Sequence, residues 1–183
     1  MTSLKTGILV AAVGVLALSA GFATYSLLGG PGLIPGARLL SDEADVGSLM
    51  AAKFPDVNGV PTSIADAKEK ILVVNFWATW CTPCREEIPD FVRLQGEYDG
   101  KGVRFFGIAA ERPEKIPAFA AEFKINYPLL VGDFAAIEIA KKLGDTTGAL
   151  PFTIVLNEQR KIVHRELGVL TARKLSMIFS ELL

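Results

Sequence analysis

The residues that promise chemistry sit in one short run, Cys81-Thr-Pro-Cys84, which holds both cysteines of the chain. Two thiols separated by two residues at the start of a helix lie nearly one turn apart, close enough for a reversible disulfide. A helix N-terminus adds unpaired N–H groups and positive partial charge. Both favour thiolate over thiol, so the Cys81 pKa is expected below the free value of about 8.5. Pro83 suits the first turn, where a missing N–H is not needed. Trp80 would shield one side of the pair. A structural staple is a poor use of these cysteines, because so short a loop constrains little of the unfolded chain. Cys and His alone cannot make a four-ligand zinc site, since the chain has one His. Two thiolates could still hold Cu(I). Thiol–disulfide exchange is the chemistry that the placement favours.

The pair needs a strand before it and a helix after it, and the sequence supplies both. Ile71-Leu-Val-Val-Asn-Phe76 is a near-continuous apolar run, as in a strand covered on both faces. After Cys84, Ile88, Phe91 and Leu94 fall on one helical stripe. Asp56-Val-Asn-Gly59 reads as a hairpin turn between short strands, and Ser63 to Ala67 as one helical turn. Val103 to Ala109 is a second buried strand. A helix is expected within Glu111 to Lys124, its start blurred by Pro113 and Pro117. Leu129 to Val131 is a short strand. Asp133 is expected to cap a helix to Leu143 that Gly144 closes. Phe152 to Leu156 and Lys161 to Leu167 flank an Asn157–Arg160 turn as an antiparallel hairpin, and Thr171 starts a last helix. Strands alternating with helices, then a hairpin and a helix, predict an α/β fold with a mixed central sheet.

The chain has 183 residues, a net charge of −1 and a mean hydropathy of +0.37. Nineteen basic against 20 acidic residues leave no nucleic-acid footprint. The apolar excess is at the front: Gly7 to Leu28 runs 22 residues without a charge. As a helix it would span roughly 33 Å, enough to cross a hydrocarbon core. Residues 1–6 are expected as a cytoplasmic tip and 7–28 as a transmembrane anchor. A cleaved signal peptide is the alternative, although such segments have shorter apolar regions. The positive tip favours a domain outside the cytoplasm. Residues 29–48, rich in Gly and Pro at first, read as a linker, and 49–183 as the folded domain.

Asn75-Phe-Trp-Ala-Thr-Trp-Cys-Thr-Pro-Cys-Arg-Glu-Glu-Ile-Pro89 resembles the active-site run of thioredoxin-fold proteins, most closely the membrane-anchored TlpA/ResA-type thiol–disulfide oxidoreductases. Leu150-Pro-Phe-Thr153 resembles their second signature. The resemblance implies a thioredoxin-like fold with an N-terminal hairpin and a helix-bearing insertion. It implies that Cys81 attacks, that Cys84 resolves, and that Pro151 is a cis proline which shapes the substrate groove and blocks metal bridging. Leu150 would present its backbone to an extended substrate. Glu87, three residues after Cys84 on the same helix face, matches the acidic residue of this branch. A raised pKa would let it move a proton to or from Cys84. Asn75 departs from the buried Asp of thioredoxins, and Asn cannot act as a base. Pro89 matches a helix-kinking proline.

The same resemblance implies a periplasm-facing disulfide reductase with no cofactor beyond its Cys81–Cys84 pair and no metal. Its clients would be proteins of cytochrome c maturation or oxidase copper assembly, its electron donor a membrane thiol transporter of the DsbD/CcdA type. Three rivals remain in view: a dithiol oxidase or isomerase, a Cu(I)-binding assembly factor, and a peroxidase. The last lacks its P-x-x-x-[ST]-x-x-C pattern, with Val74 and Ala78 in the Pro and Ser/Thr places. His164, mid-strand, is read as structural or surface, and Glu86 as exposed.

Overall fold

The computed structural model describes residues 46–183. The expected tip, membrane span and most of the linker lie outside these residues. No helix among the described residues is long and apolar enough to cross a membrane.

A five-stranded sheet organises the molecule. Its strands are β3 (Ile71–Trp77), β4 (Val103–Ala109), β5 (Leu129–Val131), β6 (Phe152–Leu156) and β7 (Ile162–Leu167), in the spatial order β5-β4-β3-β6-β7. β3, β4 and β5 run parallel, and β6 and β7 complete the sheet antiparallel. All of β3 and β6 is buried, which explains the unbroken apolar run of the central strand. A small hairpin, β1 (Phe54–Pro55) and β2 (Pro61–Thr62), carries the expected Asp56–Gly59 turn. The Asp56 carboxylate accepts from the Val60 and Asn58 N–H groups, each at 2.8 Å. These bonds, led by Val60, hold its pKa below the usual range.

Helices cover both faces. One core layer packs β3, from Ile71, Val73 and Trp77, against α1 (Thr82–Tyr98), α2 (Ile116–Phe123) and α4 (Ala172–Leu182). The other packs Leu72, Val74 and Phe76 against α3 (Asp133–Lys142) and the helical segment 46–51. Val46 and Leu49 of that segment are buried in the core. The packed domain therefore includes residues 46–48, which were expected to belong to the linker.

Two local expectations need correction. Asp133 does not cap α3. Gly132 is the N-cap, without a side-chain cap, and Asp133 follows with φ 45°. A Cβ on residue 132 would lie 2.6 Å from the Ala136 Cβ and 2.8 Å from Ile108 Cγ2, so only glycine fits where the chain turns against the sheet. The segment from Glu111 is also split: a 3-10 turn at Pro113–Lys115 precedes α2, which starts at Ile116 with Pro117 in its first turn.

Candidate active site

β3 delivers the chain to the end of the sheet, and Ala78-Thr-Trp80 carries it to the dithiol. Cys81 is the N-cap of α1, and its Sγ accepts the Cys84 N–H at 3.3 Å. Pro83 sits in the first turn, where it interrupts no helical bond. Cys81 and Cys84 form a disulfide. Both are buried, while Trp80 beside them is 66% exposed. Positive partial charge from α1 converges on Cys81 and would favour its thiolate on reduction.

Pro151 approaches from the neighbouring strand. The Leu150–Pro151 bond is cis, and Phe152 pairs with Phe76 at the outgoing end of β3. The loop before it is shaped by Asp145, whose Oδ1 accepts from the N–H groups of Thr147 (3.1 Å) and Gly148 (2.9 Å). The sheet thus brings residues 150–151 to the end of β3 that leads into the dithiol.

Glu87 is 1% exposed, deep on the inner face of α1. Asn75 Nδ2 donates to its Oε1 at 2.8 Å, and the Leu170 N–H donates to its Oε2, also at 2.8 Å. Burial dominates these bonds and lifts the Glu87 pKa to about 7. The structure buries the carboxyl fully, which supplies the raised pKa expected of it. Asn75 also donates to Thr153 Oγ1 at 2.9 Å, and its buried Oδ1 has no hydrogen-bond partner among the described residues. The amide in this orientation suits a carboxylate. Turned over, it would offer Oδ1 to a protonated Glu87.

Two further residues hold the site, and neither was singled out from the sequence. Glu111, just past β4, accepts from the Thr79 N–H and, at 3.0 Å, from the Thr79 hydroxyl. It fixes the loop that presents Trp80 and Cys81. Arg85 bonds the Thr79 carbonyl at 3.4 Å and Glu122 at 3.1 Å, and lies over the rings of Phe119 and Phe123 at 5.1 and 4.8 Å. It ties α2 to the dithiol loop. The acidic type of Glu111 at a strand end was the available signal for the first. For Arg85 it was its place directly after Cys84.

A dithiol at the head of the helix leaving the central parallel strand, with a buried carboxyl on that helix, defines a thioredoxin-fold redox protein. The chain belongs to the Redoxin family, which matches residues 45–180, and within the thioredoxin fold it is of the TlpA/ResA type. It is 33% identical over 141 residues to the thioredoxin-like protein YneN of Bacillus subtilis, covering 72% of this chain and 79% of that one. It is 25% identical over 169 residues to the thiol-disulfide oxidoreductase ResA of the same organism, covering 92% and 86%. Among solved structures, a thiol:disulfide interchange protein from Chlorobium tepidum matches with a TM-score of 0.64 and 28% identity, over 72% of this chain and 92% of that one. The enzyme class is protein-disulfide oxidoreductase.

Proposed function

We propose that the protein reduces disulfides in client proteins outside the cytoplasm, held at the inner membrane by residues 7–28. The observation that carries this reading is the Cys81–Cys84 pair at the head of α1 with buried Glu87 one turn on. In the reduced enzyme Cys81 is the thiolate and Cys84 the thiol. The Cys81 thiolate attacks a client disulfide, forming a mixed disulfide and releasing one client thiolate, which takes a proton from solvent. Glu87, as carboxylate, accepts the Cys84 proton. The Cys84 thiolate then attacks Cys81 Sγ and expels the second client sulfur. Two electrons pass to the client, and the pair returns to the disulfide.

Trp80 and Leu150 flank the dithiol and give an extended client segment apolar surface, with Pro83 and Pro151 shaping the floor. Clients of cytochrome c maturation or oxidase copper assembly, and a DsbD/CcdA-type transporter as electron source, are the partners that the TlpA/ResA resemblance favours.

The test is trapping. Cys84→Ser removes the resolving thiol, so the mixed disulfide should accumulate on Cys81 and identify the client. A Cys84→Ser protein with reactive Cys81 that captures nothing from the cell envelope would sink the client-reductase reading. So would a reduction potential near about −120 mV, the range of a strong oxidant.

A further inference from the structure

Glu87 does not end the polar path inside the domain. Asn75, Thr153 and Glu166 are register partners across β3, β6 and β7. Directly opposed residues of antiparallel strands share a face, with Cβ atoms about 5 Å apart. The row therefore runs from Glu87 through Asn75 and Thr153 to Glu166, near the surface. Glu166 has two basic partners. Lys174 of α4 donates to its Oε2, and the His164 ring lies 2.8 Å from the same oxygen. The connection between β7 and α4 supplies the Leu170 N–H that holds Glu87 Oε2. One short stretch of chain thus carries Glu166, a direct bond to Glu87, and Lys174.

We propose that Glu166 is a positioning residue for Glu87: its carboxylate charge, set by Lys174 and His164, fixes how strongly Glu87 holds a proton. This rests on Glu87 serving as the proton acceptor of Cys84, and it names what regulates that acceptor. A bare Glu166 carboxylate repels negative charge on Glu87 and favours its protonated form. Lys174 offsets that charge and favours the Glu87 carboxylate.

The groups that face Glu87 from each packed element fit this account. β3 and β6 contribute neutral Asn75 and Thr153. β7 contributes Glu166, whose charge acts on Glu87 in the same sense as burial. The β7–α4 connection offers only an N–H. Tyr127, buried ahead of β5, keeps its phenol proton because burial, and then the Glu87 charge, raise its pKa. α1 contributes the cysteine pair. For Glu166 itself burial pushes the pKa up, but hydrogen bonds from Lys174 and His164 outweigh it and hold the carboxyl ionised.

The experiment follows the Glu87 carboxyl carbon by NMR across pH in full-length protein labelled with 13C-glutamate, with Glu87→Gln assigning the resonance. In Glu166→Gln the Glu87 midpoint should move down by about half a pH unit or more, the scale of one nearby charge. In Lys174→Met it should move up, and Glu166→Asp should restore the wild-type value. Midpoints that stay at the wild-type value in both Glu166→Gln and Lys174→Met, with the proteins folded, overturn the proposal. Failure of the underlying reading looks different: Glu87→Gln would resolve mixed disulfides at the wild-type rate and with the wild-type pH profile, whatever Glu166 does to the Glu87 midpoint.

Discussion

Glu87 sets opposite demands on stability and on chemistry. Its pKa rises from 4.5 to about 7 on folding. A raised carboxyl contributes stability that is full below its unfolded pKa and is lost as pH climbs through the folded value. The loss is on the order of 3 kcal/mol once the group is fully ionised. Glu87→Gln cannot ionise, and the Asn75 amide can turn over to accept from it. The variant should therefore resist denaturant better than wild type at about pH 8.5, with the advantage gone below about pH 4.5. Equal unfolding midpoints across that range would show that the buried carboxyl carries no such penalty. The residue types at the site were legible in the sequence because their spacing is local: Cys81, Cys84 and Glu87 share one helix. Glu111 and Glu166 were not legible. Glu111 shows in the sequence only its acidic type past a strand end, and Glu166, on β7, has no local pattern that distinguishes it from a solvated carboxylate.

At the level of elements, α1 is divided by its own sequence. Pro89 lies inside it and has no N–H to give to the Arg85 carbonyl. The turns ahead of it carry Cys84 and Glu87. Those behind it lock into the core through Phe91, whose ring lies 5.4 Å from Phe105, and Leu94. Amides 84–88 should open at lower free energy than amides 91–97, and reducing the disulfide should accelerate exchange only in the first group. Hydrogen exchange on oxidised and reduced protein reads this directly, and a uniform response along the helix would count against a divided α1. The run of elements was readable in advance because apolar blocks and turn residues agree. β4, β5 and β6 span the residues their apolar runs mark, and Thr171 caps α4 as its type suggests. What failed were helix starts. Asp133 lost its place as cap to Gly132 because of how closely the chain passes Ala136 and Ile108, a tertiary fact with no local trace.

Across the whole molecule the two ends of the sheet differ in character. At one end are the loop after β3, Glu111 after β4, Phe134 after β5, Pro151 before β6 and Leu167 at the end of β7. Phe134 is 79% exposed and Leu167 50%, which leaves apolar surface at the redox end. The far end is tied shut. The Arg160 guanidinium, in the β6–β7 turn, donates to the Ala67 carbonyl at 2.7 Å and the Glu69 carbonyl at 2.9 Å. Glu69 in turn pairs with Arg104 of β4 at 2.8 Å. These bonds brace the base of the sheet opposite the redox end.

The two tryptophans of the chain lie on either side of the turn into the dithiol in sequence, and Trp77 shares the buried cluster of Cys81 and Cys84. Trp77 is buried at the end of β3, its ring 5.0 Å from Phe119, and Trp80 stands in solvent next to Cys81. A disulfide accepts an electron from an excited indole and dims it, whereas thiols do so far less. Emission should brighten when the pair is reduced, most at the red edge where a solvated indole radiates, and Trp80→Phe should remove that red component. A spectrum indifferent to added dithiol would mean that neither ring senses the sulfurs. Otherwise the protein reports its own electron count in light.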